Sequence, residues 1–190
     1  MKFACGLIDP PWSFKTYSKK STRLVEKHYD TMTDDDLVFI SSTMGSLFTD
    51  NAIVFMWATW PKLPSALTLL STMGFDYKTG IPWIKRKNDK TQIGLGYRFR
   101  NCSEILLVGT RGKVPKPSTT PIGLIDAPRT KHSRKPDEQY RLAEMYPGPY
   151  VELFARPHDT LDLSHWTQLG YEMTGKDIVE DIVDTIMIHK

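Results

Sequence analysis

At 190 residues and 40% hydrophobic, the chain suits one compact domain spanning 1–190, with little room for a second. A formal charge of +3 permits a polyanionic partner without requiring one. Two cysteines outside any CxxC pair argue against a zinc site or a disulfide framework, and no signal peptide, membrane-spanning run or lipidation motif is seen, which points to a reducing cytoplasm.

Phe3-Ala4-Cys5-Gly6-Leu7-Ile8 reads as a short buried strand, stopped by Asp9-Pro10-Pro11-Trp12. Proline cannot continue a sheet ladder and holds the residue before it extended. Asp9 therefore falls at a strand's C-terminal end, where open α/β sheets bind their ligands. Thr33 followed by Asp34, Asp35 and Asp36 is a helix start, a cap with acids that complement the macrodipole. Leu37, Val38, Ile40, Met44 and Leu47 give that helix its apolar face. Ala52 to Trp57 is a second strand, and Leu63 to Met73 a helix closed by Gly74.

Phe75 to Lys85 predicts a strand interrupted at Gly80 and Pro82. Residues 86–101 are polar, basic and glycine-punctuated, which predicts a mobile loop with Gly94 and Gly96 as pivots. Ile105 to Val108 is a strand, and residues 112–134 a second long, proline-rich loop. Pro136 to Met145 predicts a short helix with Ser133 as candidate cap, and Tyr150 to Phe154 a strand. Asp177 to Met187 predicts a helix with Ile178, Val179, Ile182, Val183 and Ile186 on one face. Strands alternating with helices define an α/β domain with a mostly parallel sheet. Loops longer than a dozen residues are uncommon in so small a domain and are usually functional or disordered.

The positive residues cluster. Lys15, Lys19, Lys20, Arg23 and Lys27 follow the tetrapeptide; Lys85 to Lys90 is a basic run, with Arg98 and Arg100 soon after. Arg111, Lys113 and Lys116 form another group, and Arg129, Lys131, Arg134 and Lys135 a further one. With aromatic neighbours, they fit a surface that tracks a phosphate backbone, the alternative for any one cluster being a solvated face.

Asp9-Pro10-Pro11-Trp12 carries the most specific chemistry. Read plainly it is a strand-ending turn with a half-buried tryptophan. The exocyclic amine of a nucleobase is a weak nucleophile because its lone pair is delocalised into the ring. A carboxylate and a fixed carbonyl, each accepting one N–H, hold that amine and favour its pyramidal form. An aromatic face stacks the base, worth roughly 1–3 kcal/mol.

The tetrapeptide is followed in order by His28-Tyr29-Asp30-Thr31-Met32, Phe55-Met56-Trp57, Gly94-Leu95-Gly96-Tyr97 and Arg100-Asn101-Cys102-Ser103-Glu104. Lys135-Pro136-Asp137-Glu138, Leu153-Phe154-Ala155-Arg156-Pro157-His158 and Trp166-Thr167-Gln168-Leu169-Gly170 complete the series. In this series the chain resembles the adenine-N6 methyltransferases related to the catalytic subunit of the mRNA N6-methyladenosine writer and to bacterial and phage DNA adenine methylases. The resemblance runs from about residue 5 to residue 175.

It implies a Rossmann-like fold in permuted order, the catalytic motif ahead of the cofactor motif, with S-adenosylmethionine as cofactor. It implies catalysis by Asp9, Pro10, Pro11 and Trp12: Asp9 polarises the amine, the Pro10 carbonyl holds the second N–H, and Trp12 with Pro11 sandwiches the ring. Cofactor contacts fall to Ile8, Asp9, Lys135, Phe154, Arg156, His158 and Asp159, with Lys135 on the methionine carboxylate. Where relatives often carry Asn, this chain has Asp159. Where many carry Asn-Gln after the Leu-Gly pair, it has Tyr171 and Glu172, which are given the adenine and ribose of the cofactor. Lys15, Lys19, Lys20, Lys87, Arg98 and Arg100 are expected to contact nucleic acid, and Glu104 to orient a flanking arm. His158, Asp159 and His165 invite a metal reading that no further ligand completes.

An upstream segment that contacts the cofactor in relatives is expected to be missing. The expected partner is nucleic acid, with DNA preferred in a bacterial or phage-infected cell and the protein a monomer or homodimer. The alternatives left open are an RNA adenine methylase and a catalytically silent binding subunit.

Overall fold

The computed structural model describes residues 2–14, 31–96, 98–130 and 134–188. In chain order they form β1 (Phe3–Ile8), α1 (Asp34–Ser46), β2 (Phe48–Ala58), α2 (Leu63–Thr72), β3 (Asp76–Lys87), β4 (Lys90–Thr91) and β5 (Ser103–Arg111). Then follow β6 (Ile125–Pro128), α3 (Glu138–Ala143), β7 (Tyr150–Leu153), β8 (Trp166–Leu169), α4 (Tyr171–Thr174) and α5 (Ile178–Ile188).

One sheet of eight strands runs β4-β3-β5-β2-β1-β7-β8, with β6 paired to β3. β1 is parallel to β2 and to β7, β7 to β8, and β3 to β6. The pairings β2–β5, β5–β3 and β3–β4 are antiparallel. Parallel pairings are thus a majority, concentrated in the half that holds β1.

Both faces of the sheet are covered, so its central strands are apolar throughout rather than alternating. Ala52, Val54, Met56 and Ala58 of β2 pack with Leu37, Ile40 and Met44 of α1, Leu69 and Leu70 of α2, and Ile178 and Ile182 of α5. Ile53, Phe55 and Trp57 point the other way, towards Tyr140 and Ala143 of α3. The sheet therefore divides the interior into two half-cores, the three-layer plan of a Rossmann-like domain. α1 begins as expected: Thr33 and Asp36 form a capping box, the Thr33 hydroxyl accepting the Asp36 N–H and Asp36 accepting the Thr33 N–H.

Several expectations are corrected. β3 is not interrupted at Gly80 and Pro82; it bulges between Tyr77 and Thr79 and continues to Lys87. At Gly80 a Cβ would lie 2.6 Å from Ile105 Cδ1, so glycine serves close strand packing rather than a break. The supposed loop from residue 86 opens as a hairpin, in which Asn88 and Asp89 take φ 49° and 59° in a two-residue turn between Lys87 and Lys90. The second loop contains β6, and the helix expected over Pro136 to Met145 shortens to α3. Ser133, its candidate cap, lies outside the described residues. β8 and α4, each of four residues, were not expected.

Candidate active site

Asp9 follows the last residue of β1, and its N–H donates to the Leu153 carbonyl at the end of β7. The prolines end β1 as expected and fold the next residues into a tight turn, where the Trp12 N–H donates to the Pro10 carbonyl at 2.8 Å. One lone pair of the carbonyl expected to hold an amine is therefore already engaged, and the other is left. The Pro11 carbonyl accepts the Met32 N–H at 2.9 Å, and Pro11 is not part of the cleft wall. Trp12 is only 5% exposed, with Nε1 donating to the Trp57 carbonyl at 3.0 Å. It forms a fixed wall, and a sandwich between Trp12 and Pro11 does not form. Phe14, half-buried in the same wall, is an aromatic that sequence reasoning left without a role.

Two clefts meet at Asp9. The first, about 630 Å³ and open to solvent, is walled by Trp12, Phe14, Trp57 and Trp83, with Lys85 and Glu104 on its floor. The second, about 800 Å³, lies over the ends of β1 and β7 and is lined by Tyr140, Glu152, Phe154, Arg156, His158, Asp159 and Glu172. Asp9, Arg134 and Lys135 line both.

Lys135 Nζ donates to both Asp9 carboxylate oxygens at 2.7 and 2.8 Å, lies 3.6 Å from Glu104 Oε2 and sits over the Trp57 ring. Lys85 also bonds Glu104. Burial pushes the Glu104 carboxyl up, but the two lysine charges outweigh it and hold the group below the usual carboxylate range.

Around the second cleft, Arg156 Nε pairs with Glu172 at 3.1 Å, and Arg134 lies 3.9 Å from Asp159 and 3.3 Å from Asp137. His158 lines the cleft with both ring nitrogens engaged. Nδ1 accepts the Leu161 N–H at 3.0 Å, and Nε2 lies 2.9 Å from an Arg134 guanidinium nitrogen and 3.1 Å from Asp137 Oδ1. It braces Asp137 and Arg134 more than it offers a free contact. Phe154 takes φ 60°, a left-handed backbone that a non-glycine residue holds only at a cost. Gly170 must be glycine because a Cβ would lie 2.7 Å from Ala155 N and 2.8 Å from Ala155 O.

The structure does not bring every expected residue together. Ile8 is fully buried in the half-core under α1, so its side chain cannot touch a ligand. Tyr171 is 76% exposed and outside the cleft wall, whereas Glu172 lines it. Lys87, Arg98 and Arg100 are exposed and line neither cleft. Lys15, Lys19 and Lys20 lie outside the described residues. Arg111, grouped by the sequence with Lys113 and Lys116 in a basic cluster, is structural: it donates to the Gly45, Met73 and Gly74 carbonyls at the ends of α1 and α2.

Residues that the sequence left without a cleft role include Lys85, Trp83, Tyr140 and Glu152. Lys85 was visible only as part of a basic run, and Glu152 only as an acid inside an apolar strand. Among the described residues no group of His, Cys, Asp and Glu could hold a metal ion, and no helix is long and apolar enough to cross a membrane.

Fold and site together define a Rossmann-like α/β domain in which two clefts share one acid and one ammonium. The chain belongs to the MT-A70 family, whose sequence profile matches residues 3–172. It is 29% identical over 185 residues to a putative N(6)-adenosine-methyltransferase MT-A70-like protein of Medicago truncatula, covering 95% of this chain and 28% of that protein. An MT-A70-like N(6)-adenosine-methyltransferase of Arabidopsis thaliana is 28% identical over 94% of this chain and 25% of its own length. The type II methyltransferase M.MunI of Mycoplasma sp is 27% identical over 93% of this chain and 80% of its own. The chain thus spans about a quarter of the plant relatives and most of the mycoplasmal one.

Proposed function

We propose that this chain methylates the N6 amine of adenine in DNA, with S-adenosylmethionine as methyl donor. The observation that carries the reading is the meeting of the two clefts at Asp9 and Lys135. Such a junction suits a reaction in which one ligand passes a group directly to another. The second cleft suits the donor chemically: Lys135 for a carboxylate, Asp159 and Glu172 for ribose hydroxyls, Tyr140 and Phe154 for apolar surface. When bound there, the donor supplies an electrophilic methyl on a sulfonium.

The chain's own residues do the rest. Lys135 can exchange Asp9 for the donor's carboxylate, which leaves the Asp9 oxygens for the amine. Asp9 then accepts one N–H and takes the proton after transfer, while the remaining lone pair of the Pro10 carbonyl accepts the other. Phe14 and the indole walls of the first cleft hold the ring, and a base drawn from a duplex must first be flipped, at a few kcal/mol. Holding amine and methyl within about 3–3.5 Å in line supplies most of the acceleration. DNA is favoured because the similarity runs over four-fifths of the type II methyltransferase, whereas it covers a quarter of each plant protein.

The test is transfer of labelled methyl to double-stranded DNA, single-stranded DNA and RNA, with Asp9→Ala alongside. The expected result is label on N6 of adenine in DNA, cut by a factor of about 10²–10³ in the variant. Equal transfer by Asp9→Ala sinks the assignment of the acid, and label confined to RNA overturns the choice of polymer.

A further inference from the structure

The second cleft holds three ion pairs and one acid of a different kind. Lys135 pairs with Asp9, Arg156 with Glu172, and Arg134 with Asp159. Glu152, in β7, is 9% exposed and lines the cleft, yet its partners among the described residues are neutral. The Tyr140 hydroxyl from α3 donates to both carboxylate oxygens at 3.1 Å, and Gln168 Nε2 from β8 donates at 2.9 Å. Asp9, just past β1, lines the same cleft and adds a second negative charge near it. The cations of the cleft, Arg134, Lys135 and Arg156, each sit on another acid, and His158 is tied to Asp137. Burial lifts the Glu152 pKa, hydrogen bonds from Gln168 and Tyr140 pull it back, and Asp9 adds to the lift, which leaves it at about 7. A buried acid in a ligand cleft, hydrogen-bonded but with no cation on it among the described residues, is a place made for a cation to arrive.

We propose that Glu152 is the counter-charge for the cationic part of the methyl donor, its α-ammonium or its sulfonium, and that donor binding drives the proton off Glu152. This rests on the donor reading of the second cleft. It gives the cleft a means of weighing charge that its pre-formed ion pairs lack. The donor carries two positive centres, the demethylated product S-adenosylhomocysteine only the ammonium, and the thioether 5′-methylthioadenosine neither.

The sign of the pH dependence follows. Below the free-state pKa, binding must displace a proton and is weakened; above it, the carboxylate is ready. Affinity for the donor is therefore expected to rise by about tenfold between pH 6 and pH 8, and wild-type protein to release about half a proton on binding at pH 7. Calorimetry in two buffers of different ionisation heat reads both quantities for the three ligands, in wild-type protein and in Glu152→Gln. Glutamine keeps an acceptor for Tyr140 and Gln168 and removes the charge.

The variant is expected to bind the donor about tenfold or more weakly at pH 8, to lose the Glu152 share of the pH profile, and to bind 5′-methylthioadenosine within about twofold of wild type. Loss for the donor and S-adenosylhomocysteine alike makes the ammonium the partner, and loss for the donor alone makes it the sulfonium. Unchanged affinity and pH profile in the variant, or equal loss for 5′-methylthioadenosine, overturns the role of Glu152 while the donor site stands. Absence of proton release by the wild-type protein overturns it without recourse to a variant. Failure of wild-type protein to bind any of the three overturns the donor site itself, and this inference with it.

Discussion

Lys135 joins the two clefts, its ammonium bonded to both Asp9 oxygens and 3.6 Å from Glu104. Under the proposed function its removal acts twice: it takes away the partner of the donor's carboxylate, and it leaves Asp9 and Glu104 with Lys85 alone. Lys135→Ala is expected to weaken donor binding by about 10- to 150-fold, the range of a hydrogen bond to a charged group. Lys135→Arg is expected not to restore it, since a planar fork cannot replace a compact ammonium held against Trp57 and both Asp9 oxygens. Donor affinity measured calorimetrically decides the matter, and an arginine variant with wild-type affinity counts against it. Glu152 makes a separate prediction about stability. Its folded pKa of about 7 lies above the ordinary glutamate value, so its contribution is fully present below pH 4.5 and is lost as pH rises through 7. Glu152→Gln should therefore gain stability over wild type between pH 5 and pH 8, by at most about 3 kcal/mol. Urea unfolding at the two pH values measures it, and a constant difference excludes the titration of Glu152 as its source. Asp9 and Lys135 were legible in the sequence because each sits in a motif. Glu152 was not, because its character comes from neighbours on β1, α3 and β8 that only folding assembles.

At the scale of elements, the site is held by anchors remote from it. Asp181 in α5 is 4% exposed, and its Oδ2 accepts the Gly170 N–H at 2.9 Å and the Thr174 hydroxyl at 2.8 Å. It thereby ties α5 to the end of β8, where Gly170 packs on the Phe154–Ala155 turn at the rim of the second cleft. α5 lies beyond the matched family region, yet Ile178 and Ile182 bury it against the sheet. Asp181→Ala leaves a buried N–H without an acceptor and is expected to cost about 1–3 kcal/mol, while Asp181→Asn, which keeps a carbonyl oxygen in place, should cost less. Thermal or denaturant unfolding separates the two, and equal loss removes the hydrogen bonds as the reason. The periodicity showed α5 as an amphipathic helix but only part of its buried face: Ile178 and Ile182 are buried as expected, whereas Val183 is 41% exposed and Asp181 and Thr185 are buried. The short strand β8 was not legible, since four residues with Thr167 and Gln168 between Trp166 and Leu169 are too brief for a pattern to show. β6 escaped for the same reason, its Ile125 and Ala127 alternating with Asp126 and Pro128 inside a proline-rich stretch.

For the molecule as a whole, the sheet has a working end and a structural end, and the basic residues must be sorted between them. The clefts lie where β1 and β7 finish and where β5 begins, at Glu104. Arg111, at the far end of β5, is seven residues away, about 23 Å along an extended strand. The sequence showed that cations cluster but not which end each cluster occupies, because an antiparallel β5 carries the chain from one end to the other within nine residues. Lys87, Arg98 and Arg100 are exposed, Lys87 as the last residue of β3 and the arginines just ahead of β5, whereas Lys2, Lys78 and Lys113 are exposed near the opposite end. Each set of three can be changed to alanine with the same loss of charge, so a general field effect predicts equal consequences. A backbone tracked at the clefts predicts unequal ones. Changing Lys87, Arg98 and Arg100 should weaken duplex binding and flatten the plot of log affinity against log salt by about 0.9 for each phosphate no longer neutralised, with donor binding unchanged. Changing Lys2, Lys78 and Lys113 should leave that slope near its wild-type value. Equal slopes for the two triple variants, measured by fluorescence anisotropy across a salt series, would mean that nucleic acid does not approach by the cleft end.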